Sequence, residues 1–383
     1  MTPSISIIGA GIAGLTLGRS LLRRGIPAVL YEKGASKPRF NYGITLHATA
    51  YRPLLSLLDI DEDAFKRRVA VDAESDGTGK IGSSVDLPNH SGMYDTKSSF
   101  RANRNKLEQL LREGLDIRWE HTPQSVEPSS NGTQLKFQNG ELGTANIIVA
   151  ADGVHSSIRK ILLPSAQLNV LPYIAFNGKR RIDRNTFNTF YAPAMRDANV
   201  VEERHGDAVL HVSINDTKEQ EISLSWIYSR PVRSESDRLH QPNRPKEDAT
   251  KIPEELFQEV GALGSLQPPF SDVFDPEKMR GDRVLHWLMR SMLVSLPELQ
   301  SVAVDTGLCF LGEAAHAEPI VGGNGANAAI LDAVSLAEKI ADGDEASVEK
   351  WYEEVYPQWK KGVEEAQRGI GNIHRVKAGA GNL

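Results

Sequence analysis

The period of the hydrophobic positions changes along the chain, and those changes divide it into segments. Residues 4–9 are mainly apolar around Ile5, Ile7 and Ile8, residues 12–24 place apolar side chains at helical spacing, and residues 27–32 return to an apolar run. The spacing predicts strand, helix and strand, a βαβ unit in which a helix crosses between parallel neighbours. "YGITLHATAYRPLLSLL" predicts a short strand leading into a helix, and residues 69–86 a β-hairpin turning at "DGTGKIG". A helix follows from Asn103 to Glu113, then a strand at 115–119 and a hairpin over 124–138 with "NGT" at its tip. "TANIIVAADG" reads as an apolar strand running into a glycine turn, as at the ligand edge of a parallel sheet.

From 168 to 230 the pattern becomes that of an antiparallel sheet. "LNVLPYIAFNG", "AVLHVSIN" and "EISLSWIYSR" are longer strands with hydrophilic connections. Residues 231–250 are polar, charged and punctuated by proline, which predicts a surface loop or mobile excursion. The α/β pattern resumes over 307–341. "VEKWYEEVYPQWKKGVEEAQRGI" is then helical, interrupted at Pro357, with Trp351, Tyr352 and Trp359 as packing residues. The fold class is therefore α/β: a Rossmann-like, three-layer dinucleotide-binding domain, an inserted antiparallel β-sheet domain and a C-terminal helix. The first comprises residues 1–70, 98–165 and 281–342, the second 71–97 and 166–280, and the helix 343–383.

Composition narrows the functional classes. The 383 residues are 40% hydrophobic and 25% charged, as in ordinary globular proteins. A net charge of −6 argues against a nucleic-acid partner. No stretch approaches the roughly 20 apolar residues that a membrane helix needs. The N-terminus enters a strand too early for a secretory signal, and the one cysteine, Cys309, has no intrachain partner. The expectation is a cytoplasmic protein without a membrane partner, monomeric or homodimeric. The ten histidines and the cysteine show no metal-ligand spacing, so no metal is expected.

The chemistry sits in glycine-rich segments. Gly9-Ala-Gly11-Ile12-Ala13-Gly14 is a GxGxxG run between strand and helix. Its glycines permit a tight turn, approach of backbone to a pyrophosphate, and close packing of helix on sheet. Glu32 ends the second strand and Lys33 follows it. A carboxylate there accepts ribose hydroxyls and disfavours a 2′-phosphate, so FAD or NAD fits better than NADP. Far downstream, "GGNGAN" precedes a helix beginning near Asn327. Backbone N–H groups of Gly325, Ala326 and Asn327 would stabilise negative charge at that terminus.

Four ordered segments, spread over nearly the whole length, resemble the class A flavoprotein monooxygenases, the family of p-hydroxybenzoate hydroxylase and the tetracycline-inactivating monooxygenases. They are "GITLHATAYRPLLSLL", "NRNKLEQLL", "VAADGVHSSIR" and "GLCFLGEAAHAEPIVGGNGANAAILDA". The resemblance implies one FAD held by both glycine-rich segments, the first at ADP and the second, with Gly323, at ribityl and ring. It implies NADPH or NADH as transient co-substrate and O2 addition at flavin C4a. The resulting hydroperoxide would pass one oxygen to an electron-rich aromatic or polycyclic small molecule. It further implies FAD or nicotinamide contacts for Arg39, Arg104, Asp152 and Gly153, and a turn-fixing or carboxylate-pairing role for Arg159. Glu313 stands where the family usually has Asp, which keeps an acceptor for a ribityl hydroxyl on a longer arm.

Substrate contacts are read from alternation. "GITLH" puts Thr45 and His47 on one strand face, turned toward the flavin. "YIAFNGKRRI" puts Phe176, Gly178 and Arg180 on one face and Asn177, Lys179 and Arg181 on the other; the pattern leaves open which face looks inward. His211 and Trp226 lie on neighbouring strands, and Pro319 beside the second glycine-rich loop. Alternatives with the same cofactor are an oxidase or reductase without oxygen transfer, and a non-enzymatic flavin-binding protein.

Overall fold

The computed structural model describes residues 4–37, 41–82, 98–129, 132–196, 198–322, 324–343 and 347–375. Five parallel strands form one sheet in the order Leu308–Phe310, Ile147–Ala150, Ile5–Ile8, Ala28–Glu32 and Asp116–Trp119. The central strand is buried at every position, which explains its mainly isoleucine composition, with the small Ser6 buried among them. The helices Ile12–Arg23 and Gly325–Asp342 form a layer beside this sheet. A three-stranded antiparallel sheet, Pro123–Ser129, Gly132–Phe137 and Leu142–Ala145, forms another layer. Tyr31 of the parallel sheet stacks on Phe137 of that layer at 4.6 Å between ring centroids.

The second large sheet has six strands in the order Val200–His205, Ala208–Thr217, Glu221–Pro231, Asn169–Asp183, Arg283–Leu293 and His316–Ala317, all antiparallel. One face carries Phe176, Leu210, Leu224, Trp226 and Tyr228, packed in one core with Phe257, Phe270 and Phe274 from short helices. The other face carries Asn177, Lys179, His211, Ser213 and Ser225 and turns toward the parallel domain. Lys179 Nζ donates to Asn41 O at 2.9 Å, and the Gly43 amide donates to Asn215 Oδ1 at 3.0 Å. The Asn177 face is thus the inward one. The helix Ser347–His374 ties the two units together. Its Trp351, Tyr352 and Trp359 sit in the core of the parallel domain, while His374 Nε2 lies 2.7 Å from Ser229 Oγ on the second sheet.

Some expectations are corrected. Residues 69–82 form no hairpin: the helix Glu62–Val69 is followed by a turn wound around Asp72, whose Oδ1 accepts from the Gly79 amide at 2.7 Å. The cap on that helix, Asp61 Oδ1 accepting from Ala64 N at 2.7 Å, overrides the local strand propensity; residues 83–86 of the expected hairpin lie outside the described residues. The 231–250 segment is not a solvated excursion. Leu239 is buried, and Asp237 pairs at 2.6 Å with the buried Arg230, a charge pattern that periodicity reads as surface. Pro357 does not interrupt the C-terminal helix, because burial of the aromatic side chains flanking it offsets one lost backbone bond. A helix Leu296–Thr306, opened by a Ser295–Glu298 capping box, went unread.

Gly178 faces the Trp226 indole so closely that a Cβ there would lie 1.9 Å from the ring. Gly178→Ala is expected to destabilise the protein by about 1–3 kcal/mol through overpacking, and Trp226→Leu in the same chain should restore part of the loss. Urea unfolding of the single and double variants tests this, and an unchanged midpoint for the single variant would refute the packing.

Candidate functional site

The parallel register decides where the chemistry gathers. Ile8 lies opposite Ala150, and Ala150 opposite Phe310, so the turns after these strands emerge side by side at the carboxyl edge of the sheet. This is the edge at which open α/β sheets bind ligands. Gly9, at φ +106°, lies where a Cβ would meet Ala151 O at 2.5 Å, and a Cβ on Gly14 would meet Gly9 O at 2.0 Å. Neither position admits a larger residue without moving backbone. A Cβ on Gly312 would lie 3.5 Å from Ala13 Cβ, which puts the two distant glycine-rich segments in contact.

The residues between them are charged and partnered in a definite way. Glu32 accepts the Ala10 amide at 2.9 Å on Oε2 and the Gly34 amide at 2.8 Å on Oε1. Arg104 caps the approach to Gly11 from the other side, its NH2 3.8 Å from where a Gly11 Cβ would stand. Its Nε donates to Glu108 at 2.8 Å and its NH1 to the Tyr42 hydroxyl. Burial would lower the Arg104 pKa, but Tyr42 and Glu108 outweigh it and hold the guanidinium firmly charged. Asp152 Oδ2 accepts the Ser157 amide at 2.6 Å, so it caps the following helix, while its buried Oδ1 has no partner. Burial raises the Asp152 pKa against these bonds. Arg159 fixes the adjoining turn through Ala314 O at 2.9 Å and Val154 O at 2.6 Å.

Glu313 lies against the N-terminus of the Gly325–Asp342 helix, its Oε1 3.1 Å from where a Gly325 Cβ would stand. Burial raises its pKa, opposed by the charges of Arg104 and His316. The helix begins at Gly325, two residues earlier than its sequence suggests. Asn327 uses its side chain to fasten this helix to the strand Gly43–Leu46: Nδ2 donates to Thr45 O at 3.0 Å, and Oδ1 accepts the His47 amide at 2.9 Å. His47 is therefore a holder of the loop rather than an open substrate contact. Its Nε2 lies 2.7 Å from Asn324 Oδ1 and its Nδ1 2.6 Å from Ser99 Oγ, and the ring is buried. Asn324, which no sequence pattern marks, donates its backbone N–H to Glu318 Oε2 at 2.7 Å, while its side-chain Nδ2 is buried with no partner among the described residues. His316 is structural, 2.7 Å from Asp332 and stacked on Trp359.

The inward face of the six-stranded sheet supplies a floor. Asn177 donates to Trp226 O at 3.2 Å, and Lys179 lies over the Tyr42 ring at 5.4 Å, with burial lowering its pKa. His211 is half-buried, 3.8 Å from Glu202. Ile227, Leu285 and Trp287 share this face by register, and Pro319 is buried beside it in the second loop. Two expected contacts fall elsewhere. Trp226 is fully buried on the opposite face, its Nε1 donating to Asp282 at 2.7 Å. Arg181 sits at the end of its strand with its side chain 75% exposed and Glu221 at 3.6 Å. Lys33 is exposed beyond the strand edge, Gly153 carries the left-handed turn at φ +78°, and Arg39 and Gly323 lie outside the described residues. Arg101, which no spacing singled out, reaches from the strand Phe100–Asn103 to Thr45 and Ser213.

These residues fit FAD. A tight glycine turn at a helix N-terminus suits a pyrophosphate. Among the described residues Asp152 Oδ1, Asn324 Nδ2 and the half-buried Glu313 carboxylate have no hydrogen bond, and they suit a ligand rich in hydroxyls, ring nitrogens and carbonyls. Glu313→Ala is expected to weaken FAD binding by roughly 1–3 kcal/mol through loss of a charge-assisted hydrogen bond. Glu313→Asp should bind at least as tightly as the parent. Titration of apoprotein with FAD reads both, and an alanine variant that keeps its flavin through dialysis would show the residue to be misassigned.

Comparison with known proteins agrees with this geometry. Residues 1–349 match the family model described as FAD binding domain. The chain is 32% identical over 393 residues to the FAD-dependent monooxygenase nscC of Aspergillus fumigatus, covering 98% of this chain and 96% of that protein. Its fold is similar to 2,6-dihydroxypyridine-3-hydroxylase from Arthrobacter nicotinovorans, with a TM-score of 0.70 at 17% identity over 100% of this chain and 96% of that one. It is also similar to the tetracycline destructase Tet(55), with a TM-score of 0.67 at 16% identity over 98% and 90%. No helix among the described residues is long and apolar enough to cross a membrane. The chain belongs to the FAD-binding-domain family of FAD-dependent monooxygenases.

Proposed function

We propose that this protein uses NADPH or NADH and O2 to insert one oxygen atom into an electron-rich aromatic or polycyclic small molecule. FAD, when bound, supplies hydride acceptance and oxygen activation. The observation that carries the reading is the meeting of two features: the helix Gly325–Asp342 opens beside the strand Gly43–Leu46, and the polar, partly buried face of the six-stranded sheet lies across from both. Backbone N–H groups at that helix start favour negative charge on a bound ring. Asn327 and His47 hold the loop that presents them. Ile227, Leu285 and Trp287 would exclude water from the reacting centre. Asn177, Lys179, His211 and Pro319 are the proposed substrate contacts.

The nicotinamide nucleotide has a matching surface beside the Asp152-Gly153 turn. Burial and the nearby cations Arg290, Lys160, Lys246 and Lys33 pull the His155 pKa down to about 4. A cluster of one sign attracts a phosphate-bearing co-substrate and speeds its association. Arg290→Ala is expected to raise the nicotinamide nucleotide KM by roughly ten-fold, as for loss of one charge-assisted contact, with the FAD content unchanged.

The reaction itself is tested by electron accounting. With a true substrate, NAD(P)H oxidation should exceed hydrogen peroxide release, and an oxygenated product should make up the difference. Complete recovery of electrons as peroxide with every substrate would instead identify an oxidase.

A further inference from the structure

Arg101 is a cation for which the reading so far has no use. It lies opposite Thr45 in the antiparallel pair of Phe100–Asn103 with Gly43–Leu46. One terminal nitrogen donates to Thr45 Oγ1 at 3.1 Å, the other to Ser213 Oγ at 3.3 Å, and Nε is sealed from solvent without an acceptor. Other inner arginines are matched by acids: Arg180 by Asp282 at 2.8 Å, Arg230 by Asp237 at 2.6 Å, and Arg104 by Glu108 at 2.8 Å. Arg159 has two carbonyl oxygens and the charge of Asp152. Arg101 alone among these has only hydroxyls, and no carboxylate pairs with it among the described residues.

Its position is as telling as its partners. The residue keeps some accessible surface, yet desolvation pulls the guanidinium pKa down to about 10. The two hydroxyls come from different units, one from the strand Gly43–Leu46 and one from the inward face of the six-stranded sheet. Thr45 also accepts Asn327 of the cofactor helix through its carbonyl, and Ser213 stands on the inward sheet face between His211 and Asn215. A buried guanidinium has five donors, and leaving it without a counter-ion is unfavourable.

We propose that Arg101 binds an ionised oxygen of the substrate, a phenolate, enolate or carboxylate, and so selects anionic ring compounds. The inference rests on the monooxygenase reading for the word substrate, but the recognition chemistry follows from Arg101 itself. Ionisation of a ring hydroxyl raises the electron density of the carbons ortho and para to it, the form of substrate that an electrophilic oxygen attacks. A methylated oxygen would leave the guanidinium unmatched and be rejected.

The test uses FAD-loaded protein under anaerobic conditions without nicotinamide nucleotide, reading probe affinity from changes in the flavin absorption. One arm compares alizarin, at a pH where its first hydroxyl is ionised, with its methyl ether. The other compares naphthoate with its methyl ester. The expected result is that the ionised member of at least one pair binds about ten-fold or more tightly than its methylated partner; the arm that discriminates names the source of the oxyanion. Arg101→Met should abolish that preference while leaving the methylated probe's affinity unchanged, and Arg101→Lys should keep part of it. Equal affinity within both pairs in the parent protein, or no binding of either ionised probe, overturns the proposal. So does full discrimination retained by Arg101→Met. Should that variant fail to hold FAD, the parent and Arg101→Lys measurements still decide. Because neither O2 nor a reductant is present, loss of the monooxygenase reading would leave this result standing, and the reverse.

Discussion

The Gly9 carbonyl sits where a methyl group on Gly14 would have to be, at 2.0 Å, and Gly9 itself is pressed against Ala151. This approach of strand, turn and helix lets the start of the helix Ile12–Arg23 stand directly at the sheet's carboxyl edge. The remaining site depends on that edge being straight. The in-register pairing of Ile8 with Ala150 and of Ala150 with Phe310 brings turns from three remote parts of the chain into one row. Shift any of those strands and the turns that follow them, with Gly9, Asp152 and Glu313, no longer emerge side by side.

Several interior charges follow one rule that Arg101 does not. Where guanidinium groups are buried they are matched by carboxylates or carbonyls, as burial of a charge demands. This holds in the network of Arg180 with Asp282 behind the second sheet and of Arg230 with Asp237 and Glu259 at its far end. Those networks hold the sheet against its helices. The polar atoms without a partner among the described residues include Asp152 Oδ1, Asn324 Nδ2 and Arg101 Nε, which lie from the dinucleotide turn to the inward sheet face. Atoms of this kind are costly to leave without partners and are characteristic of places where a ligand completes the structure.

Much of the cofactor region was legible because its determinants are local. A glycine turn between an apolar strand and a helix, with an acid at the end of the next strand, states its geometry within thirty-odd residues. The strand face that looks inward was not legible, since alternation gives two faces and says nothing about which one a remote domain covers. Trp226 shows the difficulty: an aromatic on a sheet suggests a pocket, yet the empty space at Gly178 draws its indole into the opposite core. Arg101 and Asn324 were missed for a related reason, as neither belongs to a spacing pattern and each acquires meaning only from what it lacks. The segment around Asp72 misled because turn residues were read as a hairpin tip, when a side-chain cap and backbone clamps held a helix and a coil instead.

By itself the sequence determined the βαβ unit, the dinucleotide turn, the antiparallel insertion and the chemical class of the bound nucleotide. Each of these depends on short-range periodicity or on backbone conformations that only glycine allows. Tertiary structure alone decided that the two glycine-rich segments touch, that the Asn177 face of the second sheet is the inner one, and that His47 and Asn327 lock the ring-side loop. Those outcomes arise from parallel register and from matching polar groups between segments as much as 282 residues apart, which no local pattern encodes.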